Sequence, residues 1–165
     1  MTDDEFLILS DTDLEGLGLS GAQIVDAIEE AIRGEAAGEI STAPKSAVLP
    51  GDGRYMMTTL SSADTPDLTI VKSVMVSPRN PARGRPGIDG AILIQDSETG
   101  QMRALCEAGW VTGVRTAGLS AVAARRLANP EAQSIAFIGC GMQARSHLAI
   151  FNDLFPLTSI RASGR

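Results

Sequence analysis

The chain has 165 residues, 44% of them hydrophobic and 21% charged, and its formal net charge is −6. This composition predicts a globular protein and excludes intrinsic disorder. The acidic balance argues against a nucleic-acid partner, because such binders concentrate lysine and arginine on one face. No apolar run approaches the ~18 residues of a membrane span, so no membrane partner is expected. Two cysteines, Cys106 and Cys140, make no disulfide framework, and we expect a cytoplasmic protein.

Charge is distributed unevenly along the chain. Residues 1–40 contain eleven acidic residues and one basic residue, Arg33, so they carry −10 and the remainder carries +4. The positive bias of the later part suits a phosphate-bearing small molecule. An acidic, solvent-exposed helix face, followed by a chain of average charge composition, explains the same two net charges equally well.

The first predicted elements are a short apolar strand, Phe6–Leu9, and a helix. Ser20 and Gln23 have the spacing of a capping box, which predicts the start of that helix. It is expected to end near Gly34 or Gly38. Its predicted apolar face consists of Ile24, Ile28, Ala31 and Ile32.

The next elements predict antiparallel strands. Thr69–Val76 is rich in β-branched residues and reads as a strand, and Ser77–Gly87 collects proline, glycine and arginine as a loop. Ala91–Gln95 and Gln101–Cys106 flank the turn residues 96–100, which predicts a hairpin. The first half is therefore mixed α+β.

The second half begins with a long predicted helix, from about Val111 to Leu127, that Asn129-Pro130 ends. An apolar strand over residues 134–138 then runs into Gly139-Cys140-Gly141-Met142-Gln143-Ala144, a Gly-x-Gly-x-x-Ala turn. The first glycine permits the tight turn, the second lets the backbone approach a pyrophosphate, and Ala144 allows close helix–strand packing. The phosphates would lie at a helix N-terminus, where unpaired N–H groups favour anions. The turn predicts a dinucleotide site.

Residues 145–165 are all that follow this turn, whereas a complete dinucleotide-binding fold needs several more strands. The chain is therefore expected to be the N-terminal half of a longer protein. The predicted strand Ser159–Ala162 would form an open edge, and the 165 residues alone are expected to be inactive.

Four segments, in this order and spacing, resemble the ornithine cyclodeaminase/mu-crystallin family. They are Thr69-Ile70-Val71-Lys72, Thr99-Gly100, Val114-Arg115-Thr116-Ala117-Gly118-Leu119-Ser120, and Ile138-Gly139-Cys140-Gly141-Met142-Gln143-Ala144. The similarity spans essentially the whole chain. The Arg-Thr-Ala-x-x-Ser run ahead of the glycine turn is far more specific than a lone glycine fingerprint.

The resemblance implies an α/β protein with two parts. Residues 1–115 would form a mixed α+β substrate-binding and dimerisation domain, and residues 116–165 a bridging helix and the first βαβ unit of a Rossmann domain. The implied function is NAD(P)-dependent chemistry at the α C–N bond of a small amino or cyclic imino acid, in a homodimer. The activity would be that of a cyclodeaminase, a ketimine reductase or an alanine dehydrogenase. The alternatives are a non-catalytic, mu-crystallin-like protein that binds a small molecule and NADPH, and an inactive fragment.

The resemblance also assigns site residues. Lys72 is implied as the catalytic residue, and Lys45, Lys72 and Arg115 as substrate contacts. The planar fork of Arg115 can hold an α-carboxylate, and a partly desolvated Lys72 can hydrogen-bond a C–N group whose charge changes. The implied cofactor-binding residues are Arg115, Thr116, Gly139, Gly141, Met142, Gln143, Ala144, Ser163, Gly164 and Arg165.

Two positions depart from the family pattern. Lys45 stands where the cyclodeaminases carry a carboxylate-binding arginine, so charge is kept but the bidentate fork is lost. Met56 or Met57 stands where they carry a glutamate suited to the second amine of ornithine. Core packing of the two methionines in a strand is the plainer interpretation. Both departures weigh against ornithine as substrate.

The end of the chain bears on the choice of cofactor. NAD enzymes usually carry Asp or Glu about 20 residues after the glycine turn, where it binds the ribose 2′-hydroxyl. Gly164 occupies that place, and Ser163 and Arg165 can hydrogen-bond a 2′-phosphate. We therefore expect NADP(H) to be preferred and NAD(H) to be possible. Arg165 as a frayed end is the alternative.

The remaining candidates are weaker. The acid/base aspartate of the family would lie beyond Arg165. His147, the single histidine, is expected to be a packed or solvated residue rather than a catalyst. Without a second histidine or a cysteine pair at ligand spacing, no metal site is expected.

Overall fold

The computed structural model describes residues 6–164, which form two compact units. The first comprises the residues up to Gly16 together with Gly34–Trp110, and the second comprises Leu17–Arg33 together with the chain from Val111 onward. The predicted division placed residues 1–115 in one domain, so the grouping of residues 17–33 with the second unit was not anticipated. The fold class is α/β, as predicted.

Within the described residues, the first unit contains a seven-stranded sheet of order β1-β7-β6-β5-β4-β2, with β3 also paired to β4. Among the strand pairs of this sheet within residues 6–164, only the β1–β7 pair is parallel. The strands are β1 Leu7–Leu9, β2 Ile40–Thr42, β3 Ser46–Val48, β4 Tyr55–Asp64, β5 Asp67–Val76, β6 Ile88–Asp96 and β7 Met102–Glu107. A short helix, α1 Asp11–Glu15, and a 3₁₀ turn, Pro81–Arg83, complete the unit.

Most strands of this sheet follow the sequence prediction. β5 and β6 enclose the predicted strands, and β7 begins one residue after the predicted start at Gln101. Gly100 closes the β6–β7 turn at φ +73°, a left-handed conformation that favours glycine. The bounds of β4 were not predicted. Its sequence is rich in methionine, threonine and serine and lacks the valine and isoleucine that mark β5. The extent of β4 is therefore determined by its pairing with β5 rather than by its local composition.

The two faces of the sheet differ in exposure. On one face, buried side chains alternate along the strands: Val74, Ile92, Ala104 and Cys106. The other face, here called the apolar sheet face, carries residues that the strand register places opposite one another and that are exposed or half-buried. They are Ile8, Val48, Met56, Leu60, Val71, Met75, Leu93 and Leu105.

The second unit is built on a βαβ element. Strand β8 Ser134–Ile138 leads through the glycine turn to helix α4 Met142–Leu154, and β9 Ser159–Ser163 returns parallel to β8. Helix α3 Gly109–Leu127 supplies small residues to the core of this unit, which contains Val25, Ala117, Ala121 and Ile150. A Cβ at Gly118 would lie 2.4 Å from the Cδ1 atom of Ile28, so glycine there allows two helices to approach closely.

Helix α2 Gly21–Ala37 confirms the predicted start and corrects the predicted face. Ser20 and Gln23 form the capping box, since the Gln23 N–H donates to Ser20 Oγ and the Ser20 N–H to Gln23 Oε1. Of the predicted apolar face, Ile24 and Ile28 are half-buried, whereas Ala31 and Ile32 are exposed. Val25, which is fully buried, was missed.

None of the helices within residues 6–164 is long and apolar enough to cross a membrane.

Candidate functional site

The glycine turn between β8 and α4 has the conformation that its sequence predicted. Gly139 has φ +103°, which favours glycine, and Gly141 is the N-cap of α4 with extended backbone. A Cβ atom placed at Gly139 or at Gly141 would meet no atom within 4 Å. The turn therefore leaves an open space directly above its own backbone, where a ligand can approach closely.

The N-terminus of α4 has donors to offer to that space. No side chain caps the helix, and the intrahelical bonds begin with the Arg145 N–H, which donates to Gly141 O at 3.3 Å. The N–H groups of the first turn, at Met142, Gln143 and Ala144, precede that bond and have no intrahelical acceptor. Free N–H groups and the helix dipole favour an anion at this position.

The carboxyl end of β9 lies beside the turn. The register pairs Ile138 with Ser163, and the Gly139 N–H donates a hydrogen bond of 2.6 Å to Ser163 O. Gly164 follows directly and approaches Cys140. In parallel α/β sheets, ligands bind beyond the carboxyl ends of the strands. Two of the predicted cofactor residues, Ser163 and Gly164, are thus brought next to the turn, whereas Arg165 lies outside the described residues.

A cavity of about 270 Å³ lies against the turn and the first turns of α4, lined in part by Phe137, Gln143 and His147. The Gln143 side-chain N–H donates to Thr112 O at 3.4 Å, while Gln143 Oε1 is buried and accepts no bond from the described residues. The open space above two glycines and the uncapped helix donors together fit a phosphate-bearing group such as a dinucleotide.

His147 lines this cavity and connects the two helices α3 and α4. Its Nδ1 lies 2.7 Å from Gln143 O, and its Nε2 lies 2.9 Å from Ser120 Oγ on α3. Because a carbonyl oxygen only accepts, Nδ1 carries the hydrogen toward Gln143 O. The Ser120 hydroxyl, which also lies 3.3 Å from Thr116 O, faces Nε2. The imidazole therefore links α4 to α3 through both of its nitrogens.

Arg115 and Thr116 lie on α3, in the second unit. Arg115 is exposed and forms no ion pair with a residue of the described chain, so its guanidinium is available to an anion. The Thr116 hydroxyl donates to Thr112 O at 2.7 Å, four residues earlier in the helix, and keeps its acceptor lone pairs.

Lys72 and Lys45 lie in the first unit. Lys72 is half-buried in β5, where the register places it opposite Thr59 of β4 and Ile92 of β6. Alternation puts it on the same face as the buried Val74. Lys45 is exposed in the connection between β2 and β3.

The methionines follow the alternation of β4. Met56 is 40% exposed on the apolar sheet face, and Met57 is half-buried on the opposite face. Core packing of both side chains, the plainer sequence interpretation, therefore does not hold for Met56. No three His, Cys, Asp or Glu side chains of residues 6–164 form a group that could hold a metal ion.

Sequence reasoning missed two contacts at this site. The approach of Gly164 to Cys140 and the bond from Gln143 to Thr112 join residues that are far apart in the chain. No spacing rule indicates either contact, since both depend on the packing of the βαβ element.

Comparisons with known proteins agree with this geometry. A profile of the Ornithine cyclodeaminase/mu-crystallin family matches residues 5–165. The chain is 40% identical over 130 residues to Delta(1)-pyrroline-2-carboxylate reductase 1 of Burkholderia multivorans, an alignment covering 78% of this chain and 41% of the reductase.

Two solved structures resemble the fold closely. The Delta(1)-pyrroline-2-carboxylate reductase of Thermococcus litoralis, in complex with NADH and L-proline, superimposes with a TM-score of 0.91 at 26% identity, covering 96% of this chain and 49% of that one. An archaeal alanine dehydrogenase dimer with bound NAD superimposes with a TM-score of 0.87 at 28% identity, covering 96% and 48%. The chain spans about half the length of the known relatives it matches.

Proposed function

Because this chain belongs to the ornithine cyclodeaminase/mu-crystallin family, we propose that the whole protein is a nicotinamide-dependent oxidoreductase or deaminase. Its reaction is hydride transfer at the α C–N bond of a small amino or cyclic imino acid. The observation that carries the proposal is the glycine turn: open space above Gly139 and Gly141, beside the uncapped N-terminus of α4.

The cofactor is a nicotinamide dinucleotide, which supplies the hydride acceptor or donor when bound. The first-turn N–H groups of α4 would hold its pyrophosphate. The solved relatives that contain NADH and NAD support this assignment. NADP(H) is the preferred form in this proposal, because Gly164 leaves no carboxylate at the end of β9 to repel a 2′-phosphate.

The substrate is held through its carboxylate and its C–N group. Arg115 is assigned the carboxylate, which its guanidinium can bind with two parallel hydrogen bonds. Lys72 is assigned the C–N group, where an ammonium can donate a hydrogen bond or hold the proton that changes place during reaction. Lys45 adds positive charge for an anionic substrate. The Thermococcus reductase structure, which contains L-proline, supports a substrate of this size.

The substrate in this proposal is a cyclic imine or its amino acid rather than ornithine. Lys45 lacks the bidentate fork, and Met56 offers no carboxylate for a second amine. The 40% identity to a pyrroline-2-carboxylate reductase supports the same choice.

The protein acts as a homodimer that pairs through the apolar sheet face. Leu60 and Val71, then Leu93 and Leu105, are opposite one another across four strands, and Leu60 is 45% exposed. A contiguous apolar face of this kind marks an interaction surface. The alanine dehydrogenase relative is described as a dimer, which supports a second copy as the partner.

The proposal is tested with the full-length protein by following the oxidation of NADPH in the presence of Δ1-pyrroline-2-carboxylate. Proline and alanine are tested in the reverse direction with NADP⁺, and ornithine is tested by the release of ammonia, because cyclodeamination returns the hydride and leaves no net change in the cofactor. We expect turnover with the cyclic imine and little with ornithine. Tight binding of NADPH without turnover on any of these compounds would instead indicate a non-catalytic binding protein.

A further inference from the structure

The Ser120 hydroxyl lies between two groups that can accept its hydrogen. Ser120 Oγ is 2.9 Å from His147 Nε2 and 3.3 Å from Thr116 O. A hydroxyl has a single hydrogen and a carbonyl oxygen only accepts, and in a neutral imidazole the nitrogen without hydrogen also accepts. That nitrogen is Nε2, because Nδ1 lies 2.7 Å from Gln143 O and carries the hydrogen. The neutral ring and Thr116 O therefore compete for the Ser120 hydrogen.

A charged ring removes this competition. In the imidazolium both nitrogens are donors. Nε2–H then donates to Ser120 Oγ, the Ser120 hydroxyl donates to Thr116 O, and Nδ1–H keeps its bond to Gln143 O. Each donor of the ring has an acceptor at hydrogen-bond distance. Helices α3 and α4 can thus hold the imidazolium with no change other than rotation of one hydroxyl.

The positive groups on the surrounding elements oppose this charge when no ligand is bound. His147 lies in the second turn of α4, and the N-terminus of a helix carries partial positive charge. Along the two helices, the closest arginine to His147 is Arg145 and the closest to Ser120 is Arg115, and both are exposed. Strand β8 contains no charged residue. The helix N-terminus and the arginines disfavour a further cation, although solvent screens the arginines.

No carboxylate of the described chain is paired with the ring. Helix α3 contains no acidic residue, and the single acid of α4, Asp153, accepts a hydrogen bond from the Gly21 N–H. The acids of α2 that reach α3 are paired with arginines there: Asp26 with Arg125, and Glu29 with Arg125 and Arg126. An imidazolium at position 147 therefore has hydrogen-bond acceptors but no counter-charge within residues 6–164.

The cavity offers a place for that counter-charge. His147 lines it together with Gly139 and Gly141, the glycines above which the pyrophosphate is proposed to lie. A neighbouring anion favours the charged form of a histidine. We propose that binding of the dinucleotide is linked to protonation of His147: Nε2 takes up a proton from solvent, the Ser120 hydroxyl turns to Thr116 O, and the imidazolium adds a positive charge to the cavity wall. This inference rests on the proposed function.

The linkage has a definite sign. Since a proton is taken up on binding, the affinity for the dinucleotide rises as the pH falls through the range in which histidine changes charge, about pH 5 to 8. His147 acts here on cofactor binding, and it takes no part in the transfer of the hydride.

The experiment counts protons by isothermal titration calorimetry of the full-length protein at pH ~7, in buffers of different ionisation enthalpy. NADH is the first probe, because it lacks a 2′-phosphate that would itself titrate. We expect the wild type to take up about half a proton, and its dissociation constant to rise about fivefold between pH ~6 and pH ~8. NADPH is measured in parallel. The difference in uptake between wild type and His147→Gln should be the same for both dinucleotides.

His147→Gln is the variant that removes the titration. Glutamine keeps an uncharged donor and an uncharged acceptor. It should bind NADH with an uptake near zero and with a dissociation constant that changes less than about twofold over the same pH range.

Ser120→Ala tests the hydrogen-bond relay. Without the hydroxyl, Nε2–H loses its acceptor on α3, so the uptake should fall to less than about half of the wild-type value. Ser159→Ala is the matched control, an exposed serine at the start of β9, at the opposite end of that strand from the glycine turn. It should keep the uptake of the wild type.

Each outcome decides a separate point. If the wild type binds NADH without proton uptake, or if His147→Gln takes up as many protons as the wild type, the inference is overturned while the proposed function stands. Full uptake by Ser120→Ala would overturn the relay. If the folded wild type binds neither NADH nor NADPH, the proposed function fails and the inference fails with it.

Nitrogen-15 NMR of the wild type serves if His147→Gln does not fold. The imidazole resonances of His147, assigned through its backbone, report the tautomer and the charge of the ring directly. We expect a neutral ring with its hydrogen on Nδ1 in the free protein at pH ~7, and a shift towards the imidazolium on saturation with NADPH. A hydrogen on Nε2 in the free protein, or resonances that do not respond to the dinucleotide, would overturn the inference.

Discussion

The Oδ2 atom of Asp153 accepts a hydrogen bond of 2.7 Å from the backbone N–H of Gly21, so the end of α4 holds the first residue of α2. A Cβ at Gly21 would lie 3.0 Å from the Asp153 side chain and 3.1 Å from Ile150 Cα. A carboxylate at a helix N-terminus satisfies an otherwise unpaired donor and complements the helix dipole. This contact joins residues 17–33 to the rest of the second unit.

Asp153→Ala is expected to reduce the free energy of unfolding by about 1–2 kcal/mol, the range for the loss of a helix-capping carboxylate. Urea denaturation followed by circular dichroism measures this change. Glu30→Ala, on the exposed side of α2, is the matched control and should change stability by less than about 0.5 kcal/mol. Equal stability of Asp153→Ala and wild type would show that the contact contributes nothing.

Local patterns specify those features of the fold whose residues lie close together in the chain. The capping box at Ser20 and Gln23 was predictable because its two members lie within one turn. The strand, turn and helix around Gly139 were predictable because each glycine has a backbone role.

Other features depend on partners far along the chain. The bond from Gly21 to Asp153 spans 132 residues. The burial of Val25 depends on its packing with Ala117, Ala121 and Ile150, which lie far along the chain. The approach of Cys140 to Gly164 requires the register of two parallel strands, which composition does not reveal.

Acid should weaken the β6–β7 hairpin through Asp96. Its carboxylate accepts hydrogen bonds from Arg103 and from the N–H and hydroxyl of Thr99, and these, Arg103 first, hold the pKa of Asp96 well below its usual value of 3.8. A lowered pKa contributes stability that is present above the ordinary value and is lost as the pH falls through the folded-state value. Asp96→Asn should therefore flatten the dependence of the unfolding free energy on pH below about 4.

Denaturant titrations at several pH values between neutrality and pH ~2 measure this effect, since the linkage slope reports the protons bound on unfolding. Glu98→Gln, an exposed residue of the same turn, is the control and should keep the acid dependence of the wild type. An identical acid dependence in Asp96→Asn and wild type would contradict the assignment.

The apolar sheet face should carry the dimer contact. Leu60→Arg places a charge in the middle of this face, where burial against a second copy would leave it unpaired. We expect the variant to sediment as a monomer and the wild type as a dimer in analytical ultracentrifugation. Leu127→Arg, at an 85% exposed position at the end of α3, is the control and should remain dimeric. A dimeric Leu60→Arg protein would place the contact elsewhere.

Arg115 should act on the substrate rather than on the fold. Arg115→Ala in the full-length protein should reduce kcat/KM by about thirtyfold, equivalent to about 2 kcal/mol for an unpaired carboxylate. Arg115→Lys should recover part of the loss, since it keeps the charge without the fork. Arg33→Ala, whose partner Glu29 lies in the same helix, controls for the loss of an exposed arginine. Wild-type kinetics of Arg115→Ala on proline, ornithine and cyclic imines would exclude the assigned role.

Hydride transfer at the α carbon is tested most directly with NADPH deuterated at C4 of the nicotinamide, on the hydride that is transferred. The full-length protein is incubated with Δ1-pyrroline-2-carboxylate, and the product is analysed by mass spectrometry and NMR. We predict proline that carries one deuterium at its α carbon. The account is contradicted if the folded protein, shown to bind NADPH, forms proline without deuterium at that carbon, or forms no reduced product from any cyclic imino acid.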